Sequence, residues 1–187
     1  MSNRIEIMVD IEAHDTAPTA AIVSIGAAAM DMVDLKVVGT FYANVDVNDC
    51  LRLGLTQSEK TLLWWDRQSD EAKAALLSPE PKRLRNVLNA FRIWCDEDHN
   101  AMAFWGNGSD FDNVILQNAH KAVEMECWPF WQNRCHRTMK TMFPSMWEVD
   151  VAREGVRHNA MDDAIHQANQ LLTILRGIRG IQLKEAK

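Results

Sequence analysis

Three patterns in the sequence predict an α/β fold. Up to Val45 the chain is rich in short β-branched and apolar runs joined by polar turns, which is typical of antiparallel strands. From Thr56 onward, apolar residues recur at spacings of three and four, as they do along one face of an amphipathic helix. A short apolar run at 102–105 then leads through a glycine turn into a further helix.

The bounds of each element follow from these patterns and from capping residues. Thr56 is the expected N-cap of the first helix, with Glu59 at N3 completing a capping box, and Ser69 precedes the next helix. Asn159 is the expected N-cap of the last helix. The predicted strands are 5–10, 20–30, 37–45, 102–105 and 134–138, and the predicted helices include 69–77, 82–96 and 160–178, with a loose tail over 183–187.

Length, charge and cysteine content limit the class of protein. The 187 residues are enough for one buried core, so we expect a single domain over 1–187. The net charge of −6 disfavours a protein that holds long nucleic acid on a broad basic surface, but it allows an acidic site that binds nucleic acid through metal ions. Four scattered cysteines and the lack of a signal peptide or membrane-spanning run predict a cytoplasmic protein that does not contact a membrane.

Asp10 and Glu12 form a D-x-E pair at the end of the first strand. Residues two apart on a strand point to the same face, so these carboxylates lie close together and repel each other unless a cation separates them. Mg²⁺ or Mn²⁺ is the natural partner of such oxygen ligands. The competing interpretation of an isolated D-x-E is two acids on a solvated strand face.

A second acidic cluster follows the glycine turn Gly106-Asn107-Gly108. The turn joins a strand to a helix whose first residues include Asp110 and Asp112, which is a good position from which to present a carboxylate at a strand end. Capping of the same helix by Ser109 is the structural alternative.

A third cluster opens the last helix, as His158-Asn159-Ala160-Met161-Asp162-Asp163. Asp162 is suited to helix capping, which leaves Asp163 as the freer acid. His158 lies on the preceding loop, and its ordinary pKa near 6.5 suits a general base, although a surface loop histidine has the same sequence environment.

Together, D-I-E at Asp10, D-F-D-N-x-I-L from Asp110 and H-N-A-x-D-D-A from His158 resemble the three motifs of the DEDDh family of 3′-to-5′ exonucleases, in the ribonuclease H-like superfamily. The stretches W-W-D-R-Q from Trp64 and W-G-N-G from Trp105 are similar to the branch containing phage exonuclease A and mycobacterial-type 3′-to-5′ exoribonucleases. The resemblance implies a ribonuclease H-like mixed sheet flanked by helices.

It also implies a site and a reaction. Two divalent cations, Mg²⁺ or Mn²⁺, would be held by Asp10, Glu12, Asp112 and Asp163, with His158 as general base. Asp112 is favoured over Asp110 because it directly follows the aromatic Phe111, as in the family's second motif. The implied substrate is nucleic acid with a free 3′ end, and the products are nucleoside 5′-monophosphates. Single-stranded substrate is favoured because a narrow metal-centred cleft must admit that end, although a duplex overhang or a short oligonucleotide would also serve.

The loop after the first strand departs from the family's usual D-x-E-T-T-G, because Ala13-His14-Asp15 follows Glu12. In many relatives this loop meets the terminal nucleotide, so Ala13 and His14 are predicted substrate contacts. Asn107 is a further polar candidate, and Trp65 a candidate for base stacking, with core packing as the alternative for most tryptophans.

Three matters stay open at this level. Nothing in the sequence distinguishes RNA from DNA. The segment 124–147, rich in Trp and Met, is a candidate homodimer interface. The alternative to an enzyme is a catalytically silent module on the same fold that binds nucleic acid or protein.

Overall fold

A five-stranded mixed sheet organises the chain, whose computed structural model describes residues 4–77, 80–147 and 151–185, except for the side chains of 147 and 181–185. The strands lie in the order β3-β2-β1-β4-β5. β1 pairs with β2 and β2 with β3 in antiparallel fashion, whereas β4 runs parallel to both β1 and β5. The mixed sheet expected from the resemblance is therefore confirmed. The strand bounds are β1 (Ile5–Ala13), β2 (Ile22–Asp31), β3 (Lys36–Asn44), β4 (Phe104–Gly106) and β5 (Asn133–Cys135).

Eight helices are present among the described residues. Their bounds are α1 (Val47–Arg52), α2 (Glu59–Asp66), α3 (Asp70–Leu76), α4 (Leu84–Ile93), α5 (Asp112–Ala122), α6 (His136–Met142), α7 (Pro144–Trp147) and α8 (Ala160–Glu185). A π-helical turn over Trp94–Asp98 continues α4. The strand predicted at 134–138 is only three residues long, because α6 begins at His136.

Two predicted helix ends are wrong. Ser58, not Thr56, caps α2, because its side chain accepts a hydrogen bond from the backbone N–H of Thr61. Thr56 instead forms an isolated β-bridge with Ala20, and its hydroxyl donates a hydrogen bond to the Asp15 carboxylate. These two contacts hold the loop after β1 in place. α8 extends to Glu185, beyond the predicted end at 178. Residues 186 and 187 of the predicted tail lie outside the described residues.

Alternation along β1 gives the sheet two different faces. Ile7, Val9 and Ile11 belong to the larger apolar cluster, which includes residues of α4 and α5. Met8 belongs to the second cluster, which is built with α8 residues such as Ala164 and Leu171. Because Asp10 and Glu12 share the parity of Met8, they point to the face that α8 covers.

Gly26 sets how closely α8 approaches that face. It pairs with Asp10 across β1 and β2, and a Cβ atom at this position would lie 2.1 Å from the backbone carbonyl carbon of Ala160. Only a residue without a side chain permits this contact. The first turn of α8 is therefore placed directly beside Asp10. No helix in the described part of the chain is long and apolar enough to cross a membrane.

Candidate active site

Glu12 and Asp10 are the part of the site that β1 supplies. Only 7% of Glu12 is exposed, and the strand continues past it to Ala13, so its backbone is held by pairing with β2. Asp10 Oδ1 accepts a hydrogen bond of 2.7 Å from Nε2 of Gln167 in α8. The two acids are thus fixed by the sheet on one side and by the last helix on the other.

Asp112 comes to the same place from the turn between β4 and α5. It is buried, with 4% exposed, whereas Asp110 is exposed. The turn is tight at Gly106, where a Cβ atom would lie 2.4 Å from Oδ1 of Asn113. The Asn113 amide donates to the carbonyl of Phe104 at 3.0 Å and holds the first turn of α5 against β4. The structure therefore turns Asp112, and not Asp110, towards the acids of β1.

Asp163 lies in the first turn of α8, which Asn159 caps as predicted. Oδ1 of Asn159 accepts hydrogen bonds from the backbone N–H groups of Met161 and Asp162 at 3.0 and 3.3 Å. Asp162 accepts from the backbone N–H of Val156 at 2.7 Å and so fastens the preceding loop. Asp163 accepts from the backbone N–H of His158 at 3.1 Å.

His158 is held by an unusual backbone conformation and by aromatic neighbours. Its φ is +63°, in the left-handed region that few side chains adopt. Its ring meets Trp64 edge-on at 5.0 Å between centroids and Trp65 at 6.0 Å. Ligand atoms of Glu12, His158 and Asp163 lie within 4.8 Å of one another, although the three residues come from a strand, a loop and a helix.

The carboxylates share their electrostatic environment. Burial and, to a smaller extent, the charge of Asp112 together raise the pKa of Glu12 to about 8. Burial likewise raises the pKa of Asp112 to about 7, against a lowering by the backbone N–H of Ile11. The pKa of Asp10 is raised well above its ordinary value by burial and then by the charges of Asp112 and Glu12. Each ionised carboxylate thus makes its neighbours harder to ionise.

The donor set fits hard divalent cations. Glu12 and Asp112 are buried acids that lie within electrostatic range of each other and of Asp10, which is costly unless positive charge compensates them. Carboxylate oxygens are the ligands that Mg²⁺ and Mn²⁺ prefer. Bound cations would reverse the pKa shifts, because they favour the ionised form of every ligand.

One cation is already supplied by the chain. Arg153, on the loop before α8, forms an ion pair through Nη2 with Oδ1 of Asp163. Its charge also lowers the pKa of Asp10, which places the guanidinium near both acids. Burial, followed by the charges of Arg157 and Arg153, lowers the pKa of His158, so its imidazole is neutral at pH 7.

A cavity of about 290 Å³ adjoins Glu12 between the end of β1 and α2. Ala13 and Trp65, both predicted substrate contacts, line it together with Trp64 and Phe111. Trp65 is 5% exposed and donates its indole N–H to the carbonyl of Ala13 at 3.0 Å, so it builds the wall as part of the core.

The other two predicted substrate contacts are placed differently. His14 lines a neighbouring cavity with Val23 and Val45. Asn107 lies beside Asp112, whose pKa its backbone N–H lowers, and its carbonyl accepts from Arg137 at 2.7 Å.

Gln167 and Arg153 are site residues that the sequence motifs do not include. Gln167 had a detectable signal, because it follows Asp163 by four residues and so lies on the same face of α8. Arg153 had none, because it lies in a loop without periodicity ten residues before Asp163. Its role depends on how that loop folds back.

The sequence matches the model of a protein family over residues 5–175, and the family is described as the 3′-5′ exoribonuclease Rv2179c-like domain. Among curated proteins no sequence matches the chain.

Solved structures show the same fold at low sequence identity. The nuclease domain of 3′hExo, a DEDDh family member bound to rAMP, superposes with a TM-score of 0.64 at 13% identity, covering 94% of this chain and 93% of that one. Cell-death related nuclease 4 gives 0.67 at 15% identity, covering 94% and 64%. The zinc-bound complex of E. coli ExoI with ssDNA gives 0.62 at 14% identity, covering 99% and 43%.

Proposed function

The chain belongs to the family of 3′-5′ exoribonuclease Rv2179c-like domains and is a 3′-5′ exonuclease; from this premise we propose that its active site is formed by Asp10, Glu12, Asp112, Asp163 and His158. Enzymes of this class act on nucleic acid and use divalent metal ions. We propose that the four carboxylates hold two such ions, Mg²⁺ or Mn²⁺, and that His158 is the general base.

The observation that carries this proposal is the convergence of Glu12, His158 and Asp163, with ligand atoms within 4.8 Å. His158 and Asp163 lie 146 and 151 positions after Glu12 in the sequence, so no local capping or turn accounts for their approach to Glu12. Asp10 and Asp112 belong to the same cluster of interacting charges. The charge of Asp112 raises the pKa of Glu12, and the charges of Asp112 and Glu12 raise the pKa of Asp10.

Each residue then has a defined task. Divalent cations held by Asp10, Glu12, Asp112 and Asp163 would supply Lewis acidity towards the attacking water and the leaving 3′ oxygen. His158 accepts the proton of the attacking water, and its lowered pKa keeps the ring in the neutral form that can do so at pH 7. The edge-on contact with Trp64 orients the imidazole. Gln167 fixes the direction of the Asp10 carboxylate.

The substrate that we propose is single-stranded RNA with a free 3′ end, released as nucleoside 5′-monophosphates. The cavity beside Glu12 would receive the terminal nucleotide, with Ala13 and Trp65 in its wall. The family description as exoribonuclease supports RNA over DNA. His14 and Asn107 stay predictions as substrate contacts.

Other expectations from the sequence also stay predictions: a single domain over 1–187, a cytoplasmic location and a homodimer. The exposed side chains of Phe130, Trp131 and Met142, at 74%, 66% and 64%, support the use of segment 124–147 as a surface for self-association. Light scattering during size-exclusion chromatography measures the molar mass in solution, which is twice that of the single chain if the protein is a homodimer.

The test of the catalytic proposal uses matched 5′-labelled single-stranded RNA and DNA with Mg²⁺ or Mn²⁺. We expect a ladder of products shortened one nucleotide at a time from the 3′ end, with RNA degraded faster. Asp10→Ala should abolish the ladder, and His158→Ala should slow it by about 10²- to 10⁴-fold, the usual worth of a general base.

The matched control is His99→Ala, because His99 packs on Trp94 away from the site and should leave the rate unchanged. Oligonucleotide binding without cleavage by the unmodified protein would favour the silent binding module. Faster degradation of DNA would overturn only the preference for RNA.

A further inference from the structure

Arg153 is the feature of the site that the proposed reaction does not use. Its ion pair with Asp163 is sheltered, since 27% of the Arg153 side chain and 13% of the Asp163 side chain are exposed. The charge of Arg153 also acts on the neighbouring carboxylates of Asp10 and Asp162. An arginine is charged at every working pH, so this positive charge is permanent.

The loop that carries Arg153 is fastened to the same helix as Asp163. Gly155 has a φ of +80°, and a Cβ atom there would lie 2.4 Å from Cγ of Asp162, so the loop passes directly over that side chain. The backbone N–H of Val156 is bonded to the same carboxylate. The loop then leads within two residues to His158, whose own N–H is bonded to Asp163. Arg153 and His158 are therefore tethered to one acid.

A cation that binds Asp163 is repelled by the guanidinium of Arg153, which already pairs with that carboxylate. Arg153 forms an ion pair with Oδ1 of Asp163, and the backbone N–H of His158 donates a hydrogen bond to Oδ2, so each oxygen already has one partner. A divalent ion and a guanidinium on neighbouring oxygens repel each other at short range. The guanidinium and a divalent cation therefore compete for the charge of Asp163.

From these contacts we propose that Arg153 is a built-in counter-ion of Asp163 that a divalent cation displaces, so that Arg153 sets the cation affinity of the site and couples cation binding to the loop that carries His158. This inference rests on the proposed function, because it takes Asp163 as a cation ligand. It assigns to Arg153 a positioning role, exerted through Asp163.

The test measures Mn²⁺ binding by calorimetry, without substrate. Arg153→Gln removes the competing charge, and we expect Mn²⁺ to bind about tenfold more tightly, which corresponds to about 1.4 kcal/mol. Arg153→Lys keeps the charge but not the planar fork, so its affinity should lie between the two. Arg92→Gln is the matched control, because it removes one positive charge from a residue of α4 that pairs with Asp96, and its affinity should stay within about twofold of the unmodified protein.

The opposite outcomes are distinct. Weaker binding in Arg153→Gln would mean that the arginine only holds Asp163 in place, and it would overturn the displacement. Equal binding in all three arginine variants would do the same. If the unmodified protein binds no Mn²⁺, the proposed metal site is wrong and so is this inference. If it binds Mn²⁺ and Asp10→Ala abolishes the binding, the metal site is supported, and the comparison of the Arg153 variants then decides the inference alone. Circular dichroism of each variant checks the fold, and Arg153→Lys, which retains the ion pair's charge, tests the proposal if Arg153→Gln does not fold.

Discussion

At the scale of single residues, the site places acids where ionisation is unfavourable. Glu12 and Asp112 are buried, and their pKa values are raised to about 8 and about 7. A folded protein that binds protons more tightly than the unfolded chain loses stability as the pH rises from the unfolded pKa to the folded one. For Glu12 this window runs from 4.5 to about 8. Bound cations would reduce this cost, because they favour the ionised form of each carboxylate.

The first prediction concerns Glu12→Gln in the metal-free protein. The amide removes the buried charge, so the variant should melt higher than the unmodified protein at pH 8 and at nearly the same temperature at pH 5. A gain of about 4 °C corresponds to about 1–2 kcal/mol for a chain of this size. Thermal unfolding in a chelator measures it, with Glu97→Gln, at an exposed position, as the control. A lower melting temperature of Glu12→Gln at pH 8 would contradict the raised pKa.

The second prediction concerns Gln167, whose amide donates to Asp10 at 2.7 Å. A hydrogen bond to a charged group is worth about 1.5–3 kcal/mol, so Gln167→Met should lower kcat/KM by roughly 10- to 100-fold. Mn²⁺ affinity should also fall. Gln170→Met, one turn further along α8, removes contacts to His136 and His166 instead and should leave Mn²⁺ affinity intact. Equal loss of affinity in the two variants would show that helix packing, and not the bond to Asp10, is responsible.

At the scale of elements, the site depends on how closely the start of α8 lies against β2 beside Asp10. Gly26 is opposite Asp10 in the sheet and touches the backbone of Ala160 at the start of the helix. Asp163 and Gln167 are on the next turns, so the contact at Gly26 sets their distance from β1. Between β4 and α5, the tight turn at Gly106 likewise sets the distance of Asp112 from β1.

The third prediction is that Gly26→Ala separates α8 from the sheet. The added methyl would overlap the backbone of Ala160, and relief of such overpacking costs about 1–3 kcal/mol or more. We expect a melting temperature lower by several degrees and a loss of exonuclease activity larger than the loss of folded protein. Gly180→Ala is the matched control, because nothing lies within 4 Å of a Cβ atom there. It should preserve activity and add helix stability. Full activity in Gly26→Ala would contradict the placement of α8.

At the scale of the whole molecule, a chain of net charge −6 concentrates unfavourable negative charge at one end of its sheet. Cations that bind only the folded form stabilise it by mass action, by about 2.7 kcal/mol at one hundred times the dissociation constant. They also compete with the protons of Glu12 and Asp112, so their effect depends on pH.

The fourth prediction is that Mn²⁺ or Mg²⁺ raises the melting temperature, and does so more at pH 8 than at pH 6. At pH 6 the raised pKa values of Glu12 and Asp112 keep both acids protonated in the metal-free protein, and a cation must release those protons. Thermal unfolding with and without each cation at the two pH values measures the difference. A shift of the same size at both pH values would contradict this linkage, and an absent shift would contradict the metal site.

The strands, the amphipathic helices and the three acidic motifs were accessible from the sequence because each depends on local periodicity or on adjacent residues. Asp10 and Glu12 are two positions apart on a strand, so their side chains share one face of the sheet. The glycine turn before Asp112 predicts the point at which the chain passes from a strand to a helix. The wrong N-cap at Thr56 shows the limit of that approach, because two hydroxyl residues, Thr56 and Ser58, both precede Glu59 and a tertiary bond to Asp15 decides between them.

The sequence by itself therefore determined which acids and which histidine are the candidates for the site, and the order of the elements that carry them. Only the tertiary structure decided that Gln167 meets Asp10 and that Arg153 neutralises Asp163. The physical reason is that neither contact leaves a periodic trace in the chain. Gln167 meets Asp10, 157 positions earlier, through the docking of α8 over Gly26, and Arg153 meets Asp163 through the folding back of the loop before α8.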